Sequence, residues 1–327
     1  MNQTPVEAIF SVLNDSANIL KNELDCSFLE ALAETGENIF HDTVLQEEIS
    51  EVAKKRLDKT YQTLPKMATN EDFRKAFQLA CLKGMKENVQ PNHQMTPDSI
   101  GIFLSFLIKK LHHHYSHLSI LDPAVGTGNL LLTIINQLEG LHIEATGIEV
   151  DDILLQLAYV NANMQQHAVQ FFNQDSLEPL FVDPVDIVIC DLPIGYYPND
   201  QRAKDYFLSS EEGHSYAHHL FIEQSTRHTK EGGYLFFVIP NNLFESSEAK
   251  KLHVYLKDHL HIQAVIQLPE SMFKSKQSAK SLFVLQKQGK NVKAPKEVLL
   301  INMPQLTNKQ AVHNIMLKID QWIRENK

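Results

Sequence analysis

The chain has 327 residues, 43% hydrophobic and 21% charged, which supports a substantial core and excludes a disordered or fibrous chain. Its 30 Lys and Arg against 40 Asp and Glu give a formal net charge of −10. That balance excludes a broad phosphate-tracking surface, because nucleic-acid affinity rests largely on cationic side chains that neutralise phosphates.

Cys26, Cys81 and Cys190 are odd in number and widely spaced, so neither a disulfide framework nor a thiolate zinc site is expected, and all three read as buried thiols. No apolar run has the length of a bilayer span, and M-N-Q-T-P-V-E lacks the regions of a signal peptide. A cytoplasmic location with no membrane partner is the expectation.

From Pro5 to about Gln90 the apolar residues recur at helical spacing: Val6, Ile9, Phe10 and Leu13, then Phe28, Leu29, Leu32 and Ala33, then Val44, Leu45, Ile49, Val52 and Ala53. This predicts a small all-helical domain over residues 1–91, ahead of a second domain over 92–327. It carries no chemical motif and reads as a packing cap or an oligomer contact, which is compatible with a homodimer.

Next come N-H-Q-M-T-P and an apolar helix from Ile100 to Leu111, with Thr96 suited to cap it and Pro97 to its first turn. The histidines of L-H-H-H-Y-S-H, His112, His113, His114 and His117, invite a metal. Adjacent helical residues point in different directions, however, and no Cys or acidic partner sits at a ligand spacing, so solvated helix-end histidines and no metal are expected.

The stretch S-I-L-D-P-A-V-G-T-G-N-L-L-L, Ser119 to Leu132, reads as strand, tight loop and helix. Gly126 and Gly128 let the backbone take positive φ and lie close to a ligand, and Asp122 offers an acceptor where the strand ends. The dinucleotide fingerprint is incomplete because Leu131 stands at its third glycine, and no Walker-type cradle occurs. An acidic residue beside a glycine loop suits a cofactor with a cationic or amino group and a ribose, and S-adenosylmethionine fits that description.

A second strand, Ile143 to Val150, ends in Glu149, about 20 residues beyond the loop and placed to accept from ribose hydroxyls. A helix from Ile153 to Met164 leads to a third strand that ends in Asp175, a candidate for the amine of an adenine ring. Strands alternating with helices imply an α/β fold with a mostly parallel twisted sheet, helices on both faces and ligand at the carboxyl ends.

The fourth strand, P-V-D-I-V-I-C, runs into D-L-P-I-G-Y-Y-P, Asp191 to Pro198. With Gln94, Thr96-Pro97, D-P-A-V-G-T-G-N-L, Glu149, D-S-L at Asp175, K-E-G-G-Y-L-F-F-V-I-P-N-N-L-F and the I-Q-L-P-E-S-M-F hairpin, this resembles the class I S-adenosylmethionine-dependent methyltransferases of the N6-adenine DNA type, nearest to the modification subunit of type I restriction systems. The resemblance implies a Rossmann-like methyltransferase fold over about Asn92 to Lys287. It implies cofactor contacts from Gln94, Thr96, Asp122, Pro123, Ala124, Gly126, Gly128, Asn129, Glu149, Val150, Asp175 and Ser176.

It also implies a catalytic loop of Asp191, Leu192, Pro193, Ile194 and Tyr196. In such enzymes the Asp or Asn side chain and the next carbonyl accept from the target amino group, while an aromatic ring stacks on the extruded base. This chain departs from the pattern at two of four positions, with Leu192 for the first proline and Ile194 for the ring, so Tyr196 or Tyr197 would have to supply the stack.

The polar run from Asp200 to Tyr216 reads as a mobile loop over the site, and His219 on the following helix as a disfavoured base. Asn241-Asn242 read as turn residues, and Lys274, Lys276 and Lys280 as a solvated hairpin or a phosphate contact. No later segment is large enough for target recognition, so a DNA-methylating chain would need a separate specificity subunit. Methyl transfer to an RNA base or a protein amide, and a cofactor-binding regulatory module without turnover, stay open beside it.

Overall fold

Thr4 and Glu7 form a reciprocal capping box, with Pro5 in the first turn, and so start α1 (Pro5–Leu24) where the sequence places it. Ser27 and Glu30 do the same for α2 (Phe28–His41). The third helical pattern begins later than expected. Ser50 accepts from the Ala53 backbone N–H and opens α3 at Glu51–Tyr61, so Val44, Leu45 and Ile49 lie ahead of the helix.

The structure is a computed structural model that describes residues 3–87, 95–112, 116–246, 248–273 and 275–327; Gln94, His113, His114 and Lys274 lie outside the described residues. The chain divides into two compact units, Met1–Ser105 with Val125–Glu139 and Gly147–Asn173, and Phe106–Ala124 with Gly140–Thr146 and Gln174–Lys327.

In the first unit α1–α3 are joined by α4 (Asn70–Glu87), the start of α5 (Asp98–Leu111), α6 (Asn129–Gln137), α7 (Asp152–Met164) and β3 (Val169–Asn173). One core runs through Ile9, Leu13, Leu20, Phe28, Leu32, Leu57 and Phe77 to Leu157 and Val160. The N-terminal helices therefore bury their apolar stripes against α7, whose approach to α2 is close. A Cβ on Gly36 would lie 2.8 Å from the Val160 Cβ, so a larger residue there would force the helices apart.

The second unit holds β1 (His117–Asp122), the start of β2 (His142–Glu149), β4 (Val185–Asp191), α8 (Asp200–Ala203), α9 (Ala217–Arg227), β5 (Thr229–Pro240), α10 (Ala249–His259), β6 (Leu260–Gln267), β7 (Lys280–Lys287), β8 (Leu299–Asn302) and α11 (Lys309–Asn326). The eight strands are ordered β3-β2-β1-β4-β5-β7-β6-β8. β1 with β4, β4 with β5 and β6 with β8 are parallel, and β7 runs antiparallel between β5 and β6.

This is the expected α/β architecture with a mostly parallel mixed sheet, preceded in the chain by a helical N-terminal region. Chain order reverses between β1 and β4, and in open α/β sheets that switch point, at the carboxyl ends, is where ligands bind. No helix among the described residues is long and apolar enough to cross a membrane.

Three further expectations change. Tyr206 and Leu208 are buried, and the buried Glu223 carboxylate accepts from the Phe207 and Leu208 backbone N–H groups at 3.0 and 2.9 Å, so the polar run after Asp200 is an anchored segment rather than a loose loop. His112 is buried edge-on against Tyr234, ring centroids 5.0 Å apart, and burial pushes its imidazole down to about 4, so it stays neutral. Cys26 is only partly buried, unlike Cys81 and Cys190.

Candidate functional site

In the first unit the glycine loop is set by backbone pairing: the Val125 N–H donates to the Ile148 carbonyl at 2.9 Å. Gly126 and Gly128 both take positive φ, +55° and +77°. Their roles differ. A Cβ on Gly128 would lie 3.3 Å from both the Ala158 Cβ and the Leu132 Cδ1, so that glycine seats α6 against α7. A Cβ on Gly126 would meet nothing within 4 Å, so that glycine borders open space.

Glu149 braces the same loop. Its Oε2 accepts from the Gly126 N–H at 2.9 Å, and its Oε1 accepts from the Val150 and Asp151 N–H groups at 2.9 and 3.1 Å. An ionised carboxylate has about four acceptor positions, which leaves about one for a ligand hydroxyl. Val150 is exposed, Thr127 is buried, and the Asn161 side chain donates to the Thr127 carbonyl.

Behind the loop lies a residue that sequence reasoning missed. Arg74 on α4 is fully buried, and all five of its N–H donors are spent. Nε and Nη2 reach Glu71 at 2.8 and 2.7 Å, Nη1 and Nη2 reach Asp98 at 2.9 and 2.8 Å, and Nη1 also reaches Asn129 Oδ1 at 2.6 Å. The Asn129 amide in turn donates to the Thr96 carbonyl at 3.1 Å.

The T-P-D turn and the residue after the second glycine are thus held by one guanidinium from the helical region. Burial raises the Asp98 and Glu71 carboxyls, but hydrogen bonds and charge from Arg74 outweigh it and hold both below their ordinary values. The only sequence signal was Glu71 three residues before Arg74, which ordinarily marks a solvated helix pair.

In the second unit the carboxyl ends of β1 and β4 lie side by side, registered at Leu121 with Val188, so Asp122 and Asp191 end neighbouring strands at the switch point. Asp122 is buried and accepts from the Ala124 N–H at 3.2 Å. The buried Ser176 hydroxyl donates to the Pro123 carbonyl. Asp175 is engaged on both oxygens, by the Leu177 N–H at 2.9 Å and by the Tyr197 hydroxyl at 2.6 Å.

Tyr197 is therefore a buried brace, its phenol pushed up by burial and by the Asp175 carboxylate, and Tyr196 is left as the ring available at the surface. Replacing Tyr197 with Phe is expected to cost about 1.5–3 kcal/mol in urea unfolding, the worth of a hydrogen bond to a charged acceptor.

Asp191 meets a partner that the sequence did not announce: Lys280 Nζ lies 2.6 Å from its Oδ1, across 89 residues of chain. Leu192 buries its side chain and donates its N–H to the Val238 carbonyl at 3.1 Å. A proline could not make that bond, so the leucine anchors the loop by hydrogen bonding where a ring would have fixed φ. Pro193 follows, Ile194 is exposed, and Gly195 at φ +126° turns the chain into Tyr196.

The Tyr196 ring stacks on Tyr216, centroids 5.0 Å apart at 21°. His218 and His219, whose ring centroids lie 5.2 and 5.4 Å from that of Tyr216, are buried; burial, and for His218 the neighbouring His219 charge, push them down to about 3 and 4, which makes both poor bases near neutrality. Of the lysine hairpin, Lys276 faces Glu270 at 3.9 Å, and Lys280 serves Asp191. Asn241 accepts from the Ser281 hydroxyl at 2.7 Å and, with Gln267 and Asn302, lines a shallow cavity of about 390 Å³.

A family model described as N-6 DNA Methylase matches residues 85–324, and one described as the YtxK N-terminal helical domain matches residues 7–85. The chain is 51% identical, over the whole of both chains, to a Bacillus subtilis (strain 168) protein described as uncharacterized protein YtxK. A crystal structure from Listeria monocytogenes, described as a candidate class I S-adenosylmethionine-dependent methyltransferase, is 47% identical with a TM-score of 0.91, covering 98% of this chain and 99% of that one. A modification subunit of a candidate type I restriction enzyme from Vibrio vulnificus has a TM-score of 0.67 at 16% identity, covering 92% of this chain and 66% of that one, which is a likeness of fold.

Proposed function

Because the chain belongs to the N-6 DNA methylase family, we propose that it transfers methyl from S-adenosylmethionine to an exocyclic amino nitrogen, N6 of adenine in DNA, with the target sequence chosen by a separate specificity subunit. Family and fold support S-adenosylmethionine-dependent methyl transfer as the reaction class. The observation that carries the finer reading is Asp191, which ends β4 beside the sheet's switch point and leads a loop with an accessible aromatic ring.

The residues present fit the cofactor. Gly126 opens onto free space, Glu149 keeps about one acceptor position after bracing the loop, and Gly128, Asn129, Asp122, Pro123, Ala124, Val150, Asp175, Ser176 and Thr96 complete the proposed contacts. When bound, the cofactor supplies a methyl group on a positively charged sulfur.

The remaining work belongs to the protein and is mostly positioning. The Asp191 carboxylate and the Leu192 carbonyl accept from the target amino group and so aim its lone pair, while Tyr196 offers a face to the base. Stacking of this kind is worth roughly 1–3 kcal/mol per base. His218 and His219 need take no proton, since the methylated amine can release one to water.

Gly126→Ala should separate binding from folding. At φ +55° a Cβ costs about 1–2 kcal/mol of backbone strain with nothing to clash with, but it occupies the open space. That strain is common to free and bound protein and lowers stability alone, so a loss of S-adenosylmethionine affinity of about 10-fold or more, read by calorimetry, is the expected mark of the occupied space. Equal affinity for both proteins would remove Gly126 from the site.

The acceptor is tested by labelled methyl transfer to total DNA, RNA and protein, with Asp191→Ala as control. Label in DNA that depends on Asp191 supports the proposal. Label in RNA or protein moves the acceptor. Equal background on all three, with cofactor still bound, makes the chain a cofactor-binding regulatory module.

A further inference from the structure

At the opposite, amino-terminal edge of the sheet, three ligating side chains converge that methyl transfer does not use. His117 is the first residue of β1, and His142 and Glu144 are the first and third of β2. Alternate strand residues share a face, so His142 and Glu144 point the same way, and β1 lies next to β2 in the sheet. The His142 N–H donates to the Ser116 carbonyl at 3.0 Å and pins the two strand starts in register.

The candidate ligand atoms of the three residues all lie within 4.8 Å of one another. His117 Nε2 is 3.6 Å from Glu144 Oε2, and the two imidazole rings stack with centroids 5.0 Å apart at 29°. We propose that His117, His142 and Glu144 form a site for a divalent transition-metal ion, which goes beyond the methyl-transfer reading and does not depend on it.

An ion held about 2.0–2.2 Å from each ligand bridges atoms up to about 4 Å apart, so small side-chain rotations close the set. An ion pair alone would use His117 and Glu144. It would give no reason for a second imidazole at the same point.

Two imidazole nitrogens and one carboxylate suit zinc, cobalt, nickel or copper rather than magnesium or calcium, which prefer all-oxygen sets. All three residues are exposed, so water can fill the remaining positions, and an ion there would staple the start of β1 to the start of β2. β1 spans six residues, which puts the site about 16 Å along the strand from Asp122. The sequence concealed this set because its members are brought together by strand pairing across 25 residues, whereas ligand spacing was sought along the run of neighbouring histidines.

The test titrates the chelator-stripped full chain with zinc chloride by calorimetry and with cobalt chloride by visible absorption. One ion per chain is expected, with affinity lost in His142→Ala and Glu144→Gln by no less than the roughly 10–100-fold that even outer-shell partners contribute. The double variant His113→Ala, His114→Ala should bind like the parent. Unchanged affinity in His142→Ala, no binding by the parent, or loss confined to the His113/His114 variant would each overturn the proposal. The His142 and Glu144 side chains are exposed, and far-ultraviolet circular dichroism checks that the variants fold.

Discussion

Replacing Arg74 with methionine is expected to cost the folded chain about 3–5 kcal/mol, the usual penalty when one partner of a buried ion pair is removed and the other charges stay behind. Arg74 is fully buried, and its five N–H groups serve Glu71, Asp98 and Asn129. The cost is thus of two kinds: two partly buried carboxylates lose the guanidinium, with Lys75 left to Glu71 at 3.5 Å, and Asn129 loses the donor that orients its amide. Chemical denaturation measures the first. The second should appear as weaker S-adenosylmethionine binding at temperatures where the variant is still folded.

Arg74→Lys keeps the charge but has three donors and no planar fork, so it should fall between parent and methionine. The acid limb of stability carries an independent signature. Carboxyls held below their ordinary values contribute stability that is present above their unfolded values, near 4, and is lost as pH falls through the lower folded values. With Arg74 removed, the stability of the variant should depend less on pH below about 4 than that of the parent. Parallel acid limbs would mean that Glu71 and Asp98 are not tied to Arg74 in solution.

Arg74 also shows where sequence reading stopped. Strand, glycine turn and helix around Asp122 to Asn129 were legible because backbone conformation there is local: positive φ demands glycine, and apolar periodicity marks the elements on either side. The carboxylates that end strands were legible for the same reason. What each carboxylate touches was legible only in part: Asp122, Glu149 and Asp175 accept from backbone N–H groups one or two residues on, but Gly126, Tyr197 and Lys280 reach Glu149, Asp175 and Asp191 from far along the chain.

Glu149 spends three acceptor positions on backbone N–H groups, Asp175 is tied to Tyr197, and Asp191 is tied to Lys280. Leu192 and Ile194 stood out as departures because the resemblance supplied a pattern to depart from. The compensation for Leu192, a backbone bond to Val238, is visible only once β4 and β5 are paired. Polarity misled in one place: the Y-F-L triplet inside the charged run at Tyr206 to Leu208 was the signal that this segment is anchored.

Asp191→Ala is expected to lower the methyl-transfer rate by about 10²–10³, the size of effect seen when one oriented hydrogen-bonding group is removed from a reacting centre, with little change in cofactor affinity. Single-turnover labelling gives the first number and calorimetry the second. Asp191→Asn keeps an acceptor oxygen but leaves the Lys280 ammonium without its charge partner, so it should lose less activity and more stability than a neutral swap at the surface.

Lys280→Met separates the two roles further. Nζ sits 2.6 Å from Oδ1 in a pair whose side chains are under a fifth exposed, so it fixes one carboxylate oxygen and with it the plane of the group. Removing it is expected to cost about 1.5–3 kcal/mol of stability. If the proposed reading holds, it should also lower kcat without raising KM for the acceptor, because Lys280 is bonded to Asp191. A higher KM at unchanged kcat would instead return Lys280 to a phosphate contact. Asp191→Ala turning over like the parent would make the pair a brace for the loop, with the amino group held by backbone carbonyls alone.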